Sequence, residues 1–207
     1  MASLLGLLLT TPGYTQDAEQ QTMQDNAGIQ ENAGMQDHAD QKAHDKSISE
    51  QEVIAAQDKW AEGIVDIGKV FSEKGDYKAR AEQHIKDLYA YDISDVHTFN
   101  VGPVLFKPTL ASYDQFRETF DQALSYFVGG EIAEDKGFAI KPWSKVRFGE
   151  RHIVMSSDTA TAFGNYFFTP VGSTEEVKVE YTFGYIKDKK GNVRINVHHS
   201  SLPFASE

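Results

Sequence analysis

The chain has 207 residues, 31 acidic against 20 basic side chains, a formal charge of −11 and no cysteine. That length suits one domain of ordinary size. The acidic balance excludes the basic footprint of a nucleic-acid binder, and the missing cysteines exclude disulfides, thiolate metal sites and cysteine nucleophiles. No apolar run approaches the roughly 18–20 residues that span a bilayer, while 40% hydrophobic and 12% aromatic content can supply a packed core.

Two segments precede that core. Residues 1–15 carry an apolar block, LLGLLL at 4–9, which reads as a truncated secretory signal in preference to a plain apolar tail. A signal would place the mature protein in the periplasm or outside the cell rather than in the cytoplasm. The block lacks the basic residues and the small-residue cleavage site of a full signal, so the compartment stays open. Residues 16–50 hold eight acidic, two basic and seven glutamine residues and no aromatic one, with an imperfect repeat, NAGIQE at 26–31 and NAGMQD at 32–37. Such a stretch buries too little apolar surface to offset its ordering entropy and reads as a flexible acidic linker. His38 and His44 within it carry no metal reading. A single folded domain is expected over 51–207.

Helices come first. Ser49 with Glu52 forms a capping box, and Val53, Trp60, Ile64, Ile67 and Val70 recur at helical spacing behind it. Gly75-Asp76 ends that helix, and a second follows over 77–89 with Ala81, His84, Ile85 and Leu88 on its apolar side. Residues 96–106 contain Gly102-Pro103 and predict an irregular or edge strand. A third helix is expected over 113–127, capped by Ser112 with Gln115 and stopped by Gly129-Gly130.

From Trp143 onward the period is two. The expected strands are 145–148 continuing past a turn into 153–155, then 159–169, 177–187 and 193–202, joined by short turns such as Lys189-Lys190-Gly191-Asn192. Helices grouped before an antiparallel meander predict an α+β fold: a cone-shaped roll with N-terminal helices packed on a curved antiparallel sheet. A cavity between the concave face and the helices would suit a small ligand.

The last strand carries the candidate chemistry. Side chains alternate faces along a strand, and Val193, Ile195 and Val197 form the apolar set. Continuing that parity turns His199 and Ser201 inward, and Arg194, Asn196, His198 and Ser200 outward. An inward histidine and serine are a candidate acid–base and hydrogen-bonding pair; the plainer reading is a core histidine satisfied by a neighbouring hydroxyl. Adjacent histidines on a regular strand cannot both ligate one ion, and His97 and His152 lack chelate spacing. No nucleophile elbow, P-loop or dinucleotide fingerprint occurs.

Several motifs in one order carry a resemblance: VLFKPT at 104–109, Phe116-Arg117, ALSYFVGG at 123–130, FGYI at 183–186 and HHSS at 198–201. Over about residues 53–204 the chain resembles the iota-class carbonic anhydrases, whose domain is similar to nuclear transport factor 2 and to the association domain of calmodulin-dependent kinase II. The family motif is often written with three histidines, and here Val197 takes the first place. The resemblance implies reversible hydration of carbon dioxide to bicarbonate, with Thr109, Tyr126, His199 and Ser201 as catalytic residues. His199 would take a proton from water as it attacks, while the hydroxyls orient that water and donate to the developing charge. Tyr166, Phe168, Tyr181 and Phe183 would line the substrate site. The family is described both with and without metal, so no cofactor is expected while zinc or manganese stays open. A homodimer through the exposed sheet face is also implied. The rival reading is a non-enzymatic dimerising or ligand-holding module of the same fold. An isomerase would want an inward carboxylate, and Glu180 has outward parity.

Overall fold

A computed structural model describes residues 47–93 and 103–205. The readings of the apolar head, of the linker up to residue 46 with His38 and His44, and of 96–102 with His97 lie outside the described residues.

Helix α1, Glu50–Ser72, opens on the expected capping box: the Ser49 amide donates to Glu52 Oε2 at 2.8 Å and the Glu52 amide to Ser49 Oγ at 3.3 Å. Its apolar stripe buries Val53, Trp60, Ile64 and Ile67 completely or nearly so. Ile48, just before the cap, is buried too, and its amide donates to the Ser157 carbonyl at 3.0 Å. The packed domain therefore reaches back at least to Ile48. Helix α2, Tyr77–Leu88, is capped by Asp76, which accepts from the Ala79 amide at 3.0 Å. It packs tightly on α1, because Gly63 leaves room for the His84 ring: a Cβ there would lie 2.1 Å from His84 Nδ1.

Strand β1 is short, Leu105–Lys107. Helix α3, Phe120–Val128, starts seven residues later than expected, with Thr119 and Gln122 as its capping box. The correction has a long-range cause. Glu134 accepts from the Ser112 hydroxyl at 2.7 Å and from the amides of Ser112 and Asp114 at 3.0 and 2.9 Å, so the donors a helix start would use are already taken. The buried Arg117 guanidinium meanwhile binds the carbonyls of Asp114 and Phe116 and holds 110–118 as a loop. The helix stops at Gly129, φ 77°, as expected.

The four long strands are β2 Trp143–Ser156, β3 Thr159–Pro170, β4 Val177–Lys187 and β5 Val193–Ser201. β2 is one strand rather than two pieces around a turn: its register against β3 shifts between Phe148 and Arg151, so Gly149-Glu150 is a bulge. The sheet order is β1-β5-β4-β3-β2. The long strands pair antiparallel and β1 joins β5 in parallel at the edge. The helices cover one face, and Trp60, Phe127, Phe168, Phe183 and Ile195 meet between the layers. This is the expected α+β roll, with one parallel edge strand added.

Candidate functional site

β5 is not regular. Gly184 pairs with Val197 while Tyr185 pairs with Ile195, leaving Asn196 as an extra residue. The inserted residue reverses the parity of everything after it. Ile195 and His198 are therefore both buried, as is Ser200, whereas His199 is exposed and Ser201 partly so. Pairing agrees: His198 lies beside inward Phe183 and Ser200 beside Tyr181, while His199 lies beside Thr182 and Ser201 beside exposed Glu180. The expected inward orientation of His199 and Ser201 is thus corrected to the outer face. There, Ser201 Oγ donates to Glu180 Oε2 at 3.2 Å, in a shallow groove shared with Glu150, His152 and Phe163.

The inner face holds a cavity of about 250 Å³ between the sheet, α1 and α3. Half of its lining residues are phenylalanine, tyrosine or tryptophan, among them Trp60, Phe106, Tyr126, Tyr166 and Phe168, and Lys141 borders it as well. Thr109, His198 and Ser200 bring polar atoms to that wall. Thr109 follows β1, eleven positions ahead of α3 rather than just before it, and its Oγ1 donates to Ser200 Oγ at 2.8 Å. Tyr166, on β3, lies on the same wall, so three hydroxyls gather there from just beyond β1's end, from β3 and from β5. Tyr126, near the end of α3, sits against Phe106, with ring centroids 5.6 Å apart.

His198 is held on every side. Its ring stacks on Phe106 at 4.6 Å and meets Phe183 edge-on at 4.2 Å. Nδ1 is 2.7 Å from Tyr89 Oη, which also accepts from Trp60 Nε1 at 3.0 Å. Nε2 is buried with no hydrogen-bond partner among the described residues. Burial pushes the His198 pKa well below its ordinary value, with the neighbouring His199 charge adding to the effect. Burial also drives the hydroxyls of Tyr126 and Tyr166 well above theirs. The three titratable rings on the wall are therefore neutral near pH 7.

Of the four expected aromatic lining residues, Tyr166 and Phe168 face the cavity. Tyr181 and Phe183 are buried beneath it: Tyr181 Oη accepts from Gln57 Nε2 at 3.3 Å, and Phe183 supports the His198 ring. Thr109 and Tyr126 both line the cavity. His198, Ser200, Tyr89 and Trp60 were not singled out from the sequence. One signal for the first two was available, an isolated glycine inside the 177–187 strand, which marks a bulge.

Residues 51–202 match the family model described as metal-independent carbonic anhydrase. The chain belongs to that family. A metal-independent carbonic anhydrase from a Nostoc species is 43% identical over 164 residues, 77% of this chain and 76% of that protein. A cyanobacterial iota-carbonic anhydrase, crystallised with bicarbonate, is 40% identical with a TM-score of 0.72, covering 79% of this chain and 97% of that one. A nuclear transport factor 2-like protein from Salmonella enterica, 16% identical with a TM-score of 0.50 over 76% of this chain and 92% of its own, shares the fold alone. The family's description agrees with the expectation of no metal cofactor.

Proposed function

We propose that this carbonic anhydrase interconverts carbon dioxide and bicarbonate in the aromatic cavity, using Thr109, Tyr126, Tyr166, His198 and Ser200 and no metal. The observation that carries the reading is the convergence of the hydrogen-bonded Thr109 and Ser200 hydroxyls, Tyr126, Tyr166 and the His198 ring on a largely apolar wall, which Lys141 also borders. The volume equals that of about eight waters at roughly 30 Å³ each, ample for carbon dioxide and one water.

Water is a poor nucleophile unless something acts on it. Here no ionised base faces it, because burial keeps His198 and both tyrosines neutral. The hydroxyls instead position water beside the carbon. As its oxygen bonds to carbon, one of its protons passes to a neighbouring hydroxyl oxygen, and that hydroxyl's own proton passes to an oxygen of carbon dioxide. The product in the cavity is neutral carbonic acid, which ionises to bicarbonate and a proton on reaching bulk water. The remaining donors stabilise charge that builds on oxygen during the transfer.

The test is stopped-flow hydration on chelator-treated protein of measured metal content, comparing His198→Ala, Ser200→Ala and His199→Ala. Rapid hydration without metal, lost by about 10²-fold or more in the first two and kept in the third, supports the inner-face site. Loss in His199→Ala alone, or activity that needs added zinc or manganese, overturns it. No hydration under any condition returns the chain to the ligand-holding module.

The outer sheet face leaves Phe163 and Val154 exposed on β3 and β2, and we infer that a second copy of the chain covers it. Sedimentation equilibrium checks this: a monomer at all concentrations, or a dimer unaffected by Phe163→Glu, removes the inference.

A further inference from the structure

We propose that Trp60 and Tyr89 are positioning residues that lock His198 in the tautomer with its proton on Nε2, leaving that N–H as the donor the ring offers at the cavity. The inference rests on the inner-face site above, and it concerns two residues that line no part of the hydroxyl cluster.

One chain of contacts fixes where each proton sits. An indole nitrogen only donates, so in the 3.0 Å contact Trp60 Nε1–H gives its proton to Tyr89 Oη. Tyr89 is fully buried, so its own hydroxyl proton needs an acceptor. His198 Nδ1, at 2.7 Å, is the acceptor in reach. Nδ1 then carries a lone pair, and in a neutral ring the proton resides on Nε2. The opposite tautomer would give Tyr89 Oη two incoming protons and strand its own in an apolar surround, at the full desolvation cost of the group.

Sterics close the remaining escape. Turning the ring over would carry Nδ1 away from Tyr89, but Phe106 stacks on one face and Phe183 and Trp60 abut its edges, at 4.6, 4.2 and 5.6 Å between centroids. Chain order builds this cage from α1, the end of α2, β1, β4 and β5, with Phe106 paired directly to His198 across the parallel edge. The consequence is directional. His198 offers a hydrogen bond to an oxygen of the reacting molecule and does not take a proton from water.

The experiment uses the full chain labelled with ¹⁵N-histidine, without ligand, the His198 signals being assigned by their loss in His198→Gln. Ring nitrogen shifts distinguish the two tautomers directly. The expected result is a single neutral Nε2–H tautomer from pH 8 to 5, and in Tyr89→Phe a mixed or reversed population with hydration reduced at least tenfold in kcat. An Nδ1–H ring in the wild type overturns the proposal, whatever the activity of any variant. So does Tyr89→Phe that keeps both the tautomer and the rate. The expected tautomer with fully active His198→Ala is a different failure: it would remove His198 from the reaction and with it the positioning role. Should Tyr89→Phe not fold, the wild-type spectrum still decides the tautomer, and Trp60→Phe, which leaves Tyr89 Oη free to accept from the ring, is expected to loosen it.

Discussion

Gly184 and Val197 face each other across β4 and β5 so closely that a Cβ on the glycine would lie 2.9 Å from the Val197 Cβ and 2.9 Å from Asn196 Oδ1. The extra residue Asn196 is accommodated only because position 184 has no side chain. That accommodation turns His198 and Ser200 toward the cavity. Gly184→Ala is therefore expected to cost about 1–3 kcal/mol, the usual penalty of overpacking, and to reduce hydration by disturbing the register of β5. Urea unfolding and stopped-flow rates on the same preparation check both; an alanine variant of wild-type stability would show that the strands part without penalty.

This bulge is also where reading the sequence stops short. Long strands, the first two helices and the turn glycines were legible because period two, period 3.6 and capping residues are local signals, and the order of helices then strands gives the fold class. The family motif was legible as residues in sequence. Which of the two histidines faces the cavity was not, since one inserted residue reverses the answer and strict alternation cannot reveal it. The start of α3 failed for another reason. Ser112 and Gln115 spell a cap, but Glu134, some twenty residues on, occupies the same donors. The Trp60–Tyr89–His198 chain joins residues 29 and 109 positions apart, and nothing local marks two core aromatics as partners of a histidine.

The bond between Thr109 and Ser200 gives a second prediction. Each hydroxyl removed singly should lower hydration by about 10²–10³-fold, the range for one donor facing developing charge, and stability by about 1 kcal/mol. Because the two share one hydrogen bond, their effects on stability should not add. A double-mutant cycle by chemical denaturation measures this, and strict additivity would mean that the 2.8 Å contact contributes nothing.

Arg117 and Asp135 are both fully buried at the side chain, with Nη2 and Oδ1 2.6 Å apart. Arg117 also orders the loop whose Leu110 lines the cavity. Breaking a buried pair by removing one partner is costly, and Asp135→Ala is expected to lose about 3 kcal/mol, the low end of the usual range, because Glu134 Oε1 still lies 3.9 Å from Arg117 Nη2. Denaturant midpoints test the figure. A loss below about 1 kcal/mol would indicate that water reaches Arg117 and that the loop is not held as described.

Buried histidines set the response to acid. Burial, aided by the charges of Arg80 and Lys59, takes the His84 pKa down to about 3, and burial carries His198 well below its usual value. Folded pKa values lower than the unfolded value near 6.5 mean that the unfolded chain binds protons first as pH falls. The stabilising effect of keeping each ring neutral is thus complete above pH 6.5 and drains away below it, for His84 until about pH 3. The slope approaches about 1.4 kcal/mol per pH unit, so for His84 the loss between pH 6.5 and 5 is about 1.7 kcal/mol, and His198 adds to it in the same direction. Urea stability measured at half-unit steps over that interval should fall by more than about 1.7 kcal/mol, and by about that much less in His84→Phe, which keeps a ring beside Gly63 but cannot take up a proton. Stability that stays level down to pH 5 would mean that neither imidazole is as buried as its packing against Gly63, Phe106 and Phe183 indicates.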